Sequence, residues 1–448
     1  MYTYHTVSIL DLPAELLLDI IARLPQPSVL HFAITCKTFY QLSLPVLYDT
    51  VRLAAQGVSE FRSKVERNDP SLSWVHELKL LRSDARRSGL YPGSGCIFQD
   101  EAFLSAFANL RSFDTLDYAR MKGWSEFLNV LEALPSSVRH FRGRVCTSDD
   151  NALDSLGRVY PSYQTLDLIL SPEGLAFDLI SQDHNINNVP PSLSHVFPNL
   201  AHLSLTLIFL SGCITSFLRE CHFPALETFQ LVNRDAIMPD FMLDMAHADA
   251  LLVFFARHAC TLRDLHLPAW AIEPEVGDRF SGTPLTLEHM RSGFNLLHYL
   301  ARSHAFSSSL LTLSVSPSAE LRVFGVPSLP AEFMGFNSVR TLELAVNHDP
   351  SGLVLGLAFS FDIDAIPTAF PALECLEIRV HETISVKTVV TYLGAYHPRA
   401  LLRCKTLSRM VFIYRGFRRE TRDAFLVRCR EEANGAGNIT LERVQSPS

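Results

Sequence analysis

Three segments of this chain share the phrase Phe-Pro-x-Leu, and two of them stay alike for nine residues. The copies begin at Phe197, Phe223 and Phe370, and the two longer ones read FPALETFQL and FPALECLEI. Each phrase ends in alternating apolar residues, which indicates a short strand with one buried face. Proline holds the residues before that strand extended. The phrase therefore predicts a unit that begins with a strand and recurs along the chain.

The apolar triplet L-x-x-L-x-L of this phrase occurs again with weaker flanking sequence. Its stronger copies start at residues 200, 226, 262, 310, 339, 373 and 407, and weaker copies start at 75, 110 and 163. The stronger starts are separated by 26, 36, 48, 29, 34 and 34 residues, whereas a regular leucine-rich repeat has roughly 20–29. Leucine accounts for 67 of the 448 residues. We therefore expect an irregular array with inserts in some units.

Segments of helical periodicity separate these strands, at residues 125–134, 213–221, 248–259, 288–304 and 421–432. Strands that alternate with helices predict a solenoid, because each unit has an apolar edge that only its neighbour can cover. Residues 47–53 are expected to form the first strand and to join the array directly to the preceding segment.

The first fifty residues form a unit of another kind. Pro13 suits the first turn of a helix, and Glu15 suits the positive end of its dipole. Apolar residues then follow at three- and four-residue spacing, at Leu16, Leu17, Ile20, Ile21 and Leu24. Two more short helices follow, and Pro45 is expected to end the last one. Three such helices cannot bury their own apolar surface, so another protein, the downstream array, or both should cover it.

These residues resemble an F-box. The agreement in register starts at Leu12-Pro13-x-Glu15-Leu16 and extends through Cys36-Lys37 and Phe39-Tyr40 to Leu47-Tyr48. Phe39 and Tyr40 lie where the commonest F-box has Trp, a variation associated with fungal F-boxes. The downstream array resembles the leucine-rich-repeat tail of fungal F-box proteins, although the usual Asn of the repeat is absent at most positions. The resemblance implies docking onto a Skp-family adaptor and, through it, onto a cullin–RING ubiquitin ligase.

The resemblance also assigns the adaptor contact by position, to Leu12, Pro13, Glu15, Leu16, Ile20, Leu24, Leu30 and Phe39. The alternative is that some of these side chains form the core of the three helices. We assign Ile21 and Ala33 to that core and Leu12 and Pro13 to the contact.

These patterns together predict an α/β chain with two parts. Residues 8–48 are expected to form the three-helix F-box, and residues 49–445 an irregular leucine-rich-repeat solenoid. In that solenoid, parallel strands lie on one face and helices on the other.

The charge of the chain is unevenly distributed. The net charge is −8, yet residues 399–430 carry ten basic and two acidic residues, which leaves −16 for the remainder. An acidic chain is a poor nucleic-acid binder. The basic segment is either a solvated face with local ion pairs or a surface for an acidic partner, with Arg415, Arg418, Arg419 and Arg422 as candidates.

Several classes of function are disfavoured by what the sequence lacks. Nine scattered cysteines without Cys-x-x-Cys indicate free thiols in a reducing compartment. The N-terminus has no secretory signal, and no apolar stretch approaches the roughly 20 residues of a membrane span. We therefore expect a protein of the cytoplasm, the nucleus or both, with no contact to membrane or nucleic acid.

No catalytic, metal or cofactor residue is assigned. The common nucleophile, phosphate-loop and zinc motifs are missing, and no two of the 17 histidines lie three or four residues apart. The sequence predicts a non-catalytic substrate-recognition subunit of a Skp/cullin/F-box ubiquitin ligase, whose array binds an unknown protein substrate. The alternative is an F-box scaffold that acts outside a ligase, and an enzyme with an unrecognised site is a third hypothesis.

Overall fold

The structure is a computed structural model of the full chain. It describes residues 9–81, 100–116, 120–147, 158–172, 192–207, 213–233, 242–243, 245–268, 271–272, 284–293, 296–297, 309–316, 336–348, 357–359, 363–380, 384–397, 400, 403–415, 420–431 and 437–443. The chain divides into two compact units, Met1–Ile186 and Asn187–Ser448.

The first unit begins with helices and continues as strands that alternate with helices. Its described helices are α1 (Ala14–Arg23), α2 (Gln26–Ala33), α3 (Lys37–Asp49), α4 (Ala55–Glu66), α5 (Glu101–Ser105) and α6 (Trp124–Ala133). Its described strands are β1 (Thr50–Ala54), β2 (Glu77–Leu81), β3 (Ser112–Asp114), β4 (Arg120–Met121), β5 (His140–Thr147) and β6 (Thr165–Pro172). Short 3₁₀ turns lie at Ile9–Asp11 and Pro70–Trp74.

The third opening helix is longer than the sequence predicted. Pro45 lies inside α3, which continues to Asp49, and β1 starts at Thr50 rather than at residue 47. Proline usually ends a helix because it lacks the N–H donor. Here the last turn of α3 packs against the 3₁₀ turn Pro70–Trp74, with the rings of Tyr48 and Trp74 6.3 Å apart. This tertiary contact outweighs the local preference of the proline.

The strands of the first unit form a parallel ladder. β1 pairs with β2, β2 with β3, β3 with β5, and β5 with β6, all in parallel, while β4 also pairs with β5. In β2, β3, β5 and β6 the residues that align across the ladder are 0–1% exposed, at Leu78, Phe113, Phe141 and Leu166. α6 packs its Phe127 against Phe141, with ring centroids 5.3 Å apart. The helices thus cover the apolar face of the strands.

The sequence pattern did not predict two of the strands, because the third position of the apolar triplet holds a small or polar residue in each. β5 follows the triplet Val138, Phe141 and Gly143, and the strand at residues 289–293 follows Leu287, Met290 and Ser292. The two repeats that contain these strands lie in the longest gaps between the predicted strand starts. The interval of 48 residues, for example, divides at Leu287 into intervals of 25 and 23 residues. The array is therefore more regular than its sequence indicates.

Gly143 gives a prediction about packing. A Cβ atom there would lie 2.8 Å from Met121 Cε, 2.8 Å from Phe141 Cε1 and 2.9 Å from Thr115 Oγ1. We expect Gly143→Ala to lower the free energy of unfolding by about 1–3 kcal/mol in urea titrations, because three side chains must shift together.

The control for Gly143 is Gly57→Ala in α4. There the added Cβ would lie 3.7 Å from Leu53 Cδ2, an ordinary contact. Alanine should stabilise this helix by up to about 1 kcal/mol. Equal effects of the two substitutions would contradict the packing explanation.

The second unit continues the same architecture and ends differently. Its described helices are α7 (Leu193–Val196), α8 (Cys213–Glu220), α9 (Met245–His258), α10 (Ile366–Ala369) and α11 (Val386–Tyr396), with a 3₁₀ turn at Ile363–Ala365. Its described strands are β7 (His202–Leu207), β8 (Thr228–Asn233), β9 (Met242–Leu243), β10 (Asp264–His266), β11 (Ala271–Ile272), β12 (His289–Gly293), β13 (Thr312–Ser316), β14 (Thr341–His348), β15 (Leu357–Phe359), β16 (Cys375–Val380), β17 (Arg409–Arg415), β18 (Glu420–Glu431) and β19 (Gly437–Arg443).

The pairing in the second unit is parallel until the last strands. β7, β8, β10, β12, β13, β14, β16 and β17 pair in that order. β15 pairs antiparallel with β14, and β9 pairs in parallel with β11 in a separate two-stranded sheet. β18 and β19 then add two antiparallel strands after β17. The hairpin thus ends the parallel array.

Two helix predictions are wrong in this unit. Residues 289–293 form β12, and the segment predicted as a helix at 421–432 lies in β18. In the second case Phe425, Val427 and Cys429 fit a period of two as well as they fit a helix, and a short apolar run does not decide between them. The edge of β17 pairs with this segment along seven residues and so selects the strand.

Hydroxyl groups link successive repeats of the array. A Ser or Thr directly before the first apolar position donates a hydrogen bond to a carbonyl of the preceding unit. The described bonds are Ser137 Oγ to Leu110 O at 2.7 Å, Ser309 Oγ to Leu287 O at 2.8 Å, Ser338 Oγ to Leu310 O at 2.9 Å and Thr406 Oγ1 to Leu373 O at 2.7 Å. Each bond satisfies a carbonyl that would otherwise lack a partner between units.

The predicted fold class is confirmed. Helices precede a sheet of mainly parallel strands, and the described helices cover the apolar side of those strands. Within the described residues, no helix is long and apolar enough to cross a membrane.

Candidate functional site

The opening helices have one buried and one exposed apolar stripe. Pro13 precedes α1, and its carbonyl accepts hydrogen bonds from the N–H groups of Leu16 and Leu17, each at 3.1 Å. Leu17 and Ile21 are buried against α3 and its neighbours. Leu16 and Ile20 lie one position earlier, about 100° around the helix, and remain exposed. The helix is therefore apolar on more of its circumference than the three-helix core covers.

Most of the predicted contact residues lie on the outside of this unit. Leu16, Ile20 and Leu30 are 52%, 38% and 55% exposed. Pro13 and Glu15 are also exposed, whereas Leu12 and Leu24 are half-buried. Apolar side chains of this size usually lose water on folding.

Phe39 occupies a different position. Its side chain is 6% exposed, and its ring lies 3.9 Å from that of Phe32 between α2 and α3. Ile21 and Ala33 are buried as well, which confirms their assignment to the core. Phe39 therefore holds α2 against α3, and we omit it from the surface.

Four further large apolar residues of the opening helices are exposed: Ile9, Leu10, Ile34 and Tyr40. Ile34 lies four residues after Leu30, a spacing that places the two on one side of a continuing helix. That spacing could have identified it from the sequence. Ile9 and Leu10 form a 3₁₀ turn before α1, and no periodic signal marks them. We call Ile9, Leu10, Leu16, Ile20, Leu30, Ile34 and Tyr40 the apolar docking surface.

The charged groups beside the apolar docking surface are solvent-facing. Arg23 and Asp19 form an ion pair of 3.0 Å across one turn of α1, with both side chains mostly exposed. Such a pair contributes little to stability. The arrangement of exposed apolar side chains with a polar margin suits the docking of a protein partner.

The opening helices are joined rigidly to the first repeat. α3 ends at Asp49, and β1 follows at the next residue. The Lys64 ammonium donates a hydrogen bond of 2.6 Å to the Tyr48 hydroxyl and lies 4.6 Å from the centre of its ring. His76 Nδ1 lies 2.8 Å from an Asp49 carboxylate oxygen. These contacts leave no flexible linker between the docking surface and the array.

A small cavity lies at this junction. It has a volume of about 250 Å³ and is lined by Leu24, Gln26, Val29, Val46, Leu47, Thr50, Arg52 and Glu77. Burial favours a higher pKa for the Glu77 carboxyl, but hydrogen bonds from Lys79 and Thr50 outweigh it and lower that pKa. Glu77 is therefore ionised at neutral pH and held in place rather than available as an acid.

The candidate basic patch is only partly described. Arg415 ends β17 and Arg422 lies near the start of β18, while Arg418 and Arg419 lie outside the described residues. The register places Arg415 opposite Glu420 and Arg422 opposite Ile413. Arg415 and Arg422 thus lie on two antiparallel strands, and Arg422 belongs to the segment 421–432 that the sequence predicted as a helix.

Among the described residues, no group of three or more His, Cys, Asp and Glu side chains could hold a metal ion. Several charged side chains of the strands form ion pairs with each other. Arg142, for example, lies 2.7 Å from Asp167 and 3.8 Å from Asp114 on the neighbouring strands.

The segment that carries the apolar docking surface matches a known domain family. Residues 9–46 match the family described as the F-box domain, which confirms the F-box prediction for this segment. Among solved structures, the chain is similar to the leucine-rich repeat-containing protein LegL7 from Legionella pneumophila. That similarity has 13% sequence identity and a TM-score of 0.31, and covers 79% of this chain and 89% of LegL7. No curated protein matches the chain.

Proposed function

We propose that this protein is the substrate-recognition subunit of a Skp/cullin/F-box ubiquitin ligase. Its F-box would bind a Skp-family adaptor and, through it, a cullin. Its repeat array would bind the protein substrate. The protein would break no bond itself and would act by bringing the substrate close to the ubiquitin carrier, which raises the effective concentration of the acceptor lysine.

One observation carries this proposal. Of the ten large apolar side chains that are exposed in the described residues, seven belong to the apolar docking surface within residues 9–40. A patch of this kind in a folded protein indicates an interface. Pro13, Glu15, Leu12 and Leu24 complete the proposed contact at its margin.

The junction supports the second half of the proposal. Proximity accelerates transfer only when the substrate is held at a suitable distance and orientation. The contacts of Tyr48 with Lys64 and of Asp49 with His76 fix the first repeat to α3. A substrate held by the first repeats would therefore keep a defined position relative to the adaptor.

Reconstitution tests the proposal. We expect the full chain, co-expressed with a Skp-family adaptor, to co-elute with it in size-exclusion chromatography and to recruit a cullin–RING pair only when the adaptor is present. A Leu12→Ala/Pro13→Ala double variant should bind the adaptor at least about tenfold more weakly, because the margin of an apolar interface excludes water from its centre.

Absence of adaptor binding by the unmodified chain would refute the proposal. Adaptor binding that leaves the cullin unbound would instead support a scaffold that acts outside a ligase. A location in the cytoplasm or nucleus, where such ligases would act on their substrates, belongs to the same proposal.

A further inference from the structure

The cavity at the junction of α3 and the first repeat has two chemically different walls. Leu24, Val29 and Val46 contribute an apolar wall, and Val29 is 1% exposed, so it lies at the inner end. Gln26 and Arg52 are exposed and lie at the mouth. A concave site with apolar walls and a few polar groups is the usual form of a small-molecule site. The cavity therefore suits a ligand with an apolar body and a polar head.

The size of the cavity limits the ligand. Its volume is about 250 Å³, and an apolar cavity of about 150 Å³ in another protein holds benzene. At the same ratio this cavity holds a molecule of roughly ten heavy atoms. A nucleotide is too large to enter it. The ligand class is therefore a small organic molecule.

The charges beside the mouth are unbalanced. Arg52 of β1 lies directly opposite Lys79 of β2 in the parallel register, and like charges in such a position repel each other. Glu77 lines the cavity as well, but its carboxylate already pairs with Lys79 at 3.0 Å and accepts a hydrogen bond of 3.0 Å from Thr50. The Arg52 guanidinium makes no hydrogen bond or ion pair in the part of the chain that the structure describes, although its charge acts on Glu77 at longer range. An anion at the mouth would therefore meet two cations and one carboxylate.

The neighbouring carboxylates have partners of their own. Asp114 of β3 accepts a hydrogen bond from the Leu116 N–H at 2.9 Å and lies 3.8 Å from Arg142. Asp49, directly before β1, lies 2.8 Å from His76 Nδ1. Neither carboxylate pairs with Arg52 at the mouth of the cavity.

We propose that this cavity binds a small organic acid, with its apolar body between the opening helices and its carboxylate on Arg52. A guanidinium group binds a carboxylate through two parallel hydrogen bonds. The Gln26 amide lies at the same mouth and can donate one more. Because the cavity is lined by both the opening helices and the first repeat, the bound acid would contact both and stabilise their junction.

Ligand-observed NMR with the full chain tests the inference. The probe is isocaproate, a branched aliphatic acid, and isocaproamide has the same shape without the charge. We expect the acid to bind with a Kd on the order of 1 mM and the amide to bind at least about tenfold more weakly. A salt increase from about 50 to 300 mM should weaken binding of the acid.

Substitutions test the two walls separately. Arg52→Gln should weaken binding of isocaproate by about tenfold or more. Arg52→Lys keeps the charge but not the two parallel hydrogen bonds, so we expect a smaller loss of about threefold. Val46→Phe places a larger side chain in the cavity and should abolish binding although Arg52 is present.

The matched control is Arg111→Gln. Arg111 is an exposed arginine of the same unit that does not line the cavity. Its substitution removes the same charge from the chain, and binding of isocaproate should stay within about twofold of the unmodified chain.

Arg52→Gln decides the matter if Val46→Phe fails to fold, because an exposed position tolerates a polar residue. The inference is overturned if isocaproate at about 10 mM does not bind, if the amide binds as well as the acid, or if Arg52→Gln binds the acid as well as the control does. Arg52 lies outside the apolar docking surface, so Arg52→Gln should leave adaptor binding unchanged. Failure of this inference and failure of the ligase proposal are therefore distinguishable.

Discussion

A Leu16→Asp/Ile20→Asp double variant should lose adaptor binding by at least about a hundredfold. Both side chains lie on the exposed stripe of α1, beside the buried pair Leu17 and Ile21. In the proposed complex they would become buried, and a carboxylate in a desolvated interface costs several kcal/mol when it has no partner. Isothermal titration calorimetry with a purified Skp-family adaptor measures the loss.

The matched control for this variant is Val253→Asp/Leu311→Asp. These two side chains are each 39% exposed, close to the 38% of Ile20, but they lie outside the opening helices. They receive the same chemical change, and we expect adaptor affinity within about twofold of the unmodified chain. Both double variants should keep their circular dichroism spectra, because exposed positions tolerate polar residues. A similar loss of affinity in both would show that the apolar docking surface is not the adaptor site.

Acidification should destabilise the second unit through His258. This histidine is fully buried in α9; its Nδ1–H donates to the Phe254 carbonyl at 2.8 Å, and its Nε2 accepts from the Phe223 N–H at 3.0 Å. Burial lowers its pKa from 6.5 to about 4. The unfolded chain therefore binds a proton between pH 6.5 and 4 that the folded chain excludes.

The sign of the pH effect follows from that difference. The free energy of unfolding should have its full value above about pH 6.5 and should fall as the pH drops towards 4. At pH 5 the loss should reach about 2 kcal/mol, and urea titrations at several pH values measure it. His258→Leu should remove this pH-dependent part. At neutral pH it should cost about 1–3 kcal/mol, because the Phe223 N–H loses its acceptor.

His195→Gln is the control for the histidine prediction. His195 is exposed in the same unit, so its removal should leave both the stability at neutral pH and the acid-dependent loss unchanged. An unaltered pH dependence in His258→Leu would assign the acid sensitivity to other groups.

The array shows which features follow from local sequence. Strands form at all ten positions where the sequence predicted a copy of the apolar pattern, because alternation specifies a strand with one buried face. The triplets that end in Gly143 and Ser292 were not recognised in the sequence. The size of the side chain at the third position of a triplet depends on the residues that other repeats pack against it. Met121 and Thr115, for example, occupy the space beside Gly143.

The opening helices show the same division. The spacing of Leu16, Leu17, Ile20 and Ile21 predicts α1 as an amphipathic helix, but it does not say which half of the stripe is buried. Contacts with α3 decide that Leu17 and Ile21 are inside. The packing of Phe39 against Phe32 likewise transfers a predicted contact residue to the core.

The sequence by itself determined the F-box segment and the recurrence of strands in a parallel array, because these depend on periodicity and on a contiguous motif. Tertiary structure alone decided that α3 passes through Pro45 and that residues 420–431 form a strand. Each of these depends on a partner distant along the chain: the turn at Trp74 for α3, and the edge of β17 for the hairpin. Local propensity is weak at such sites, and the partner that satisfies the backbone and covers the apolar surface selects the conformation.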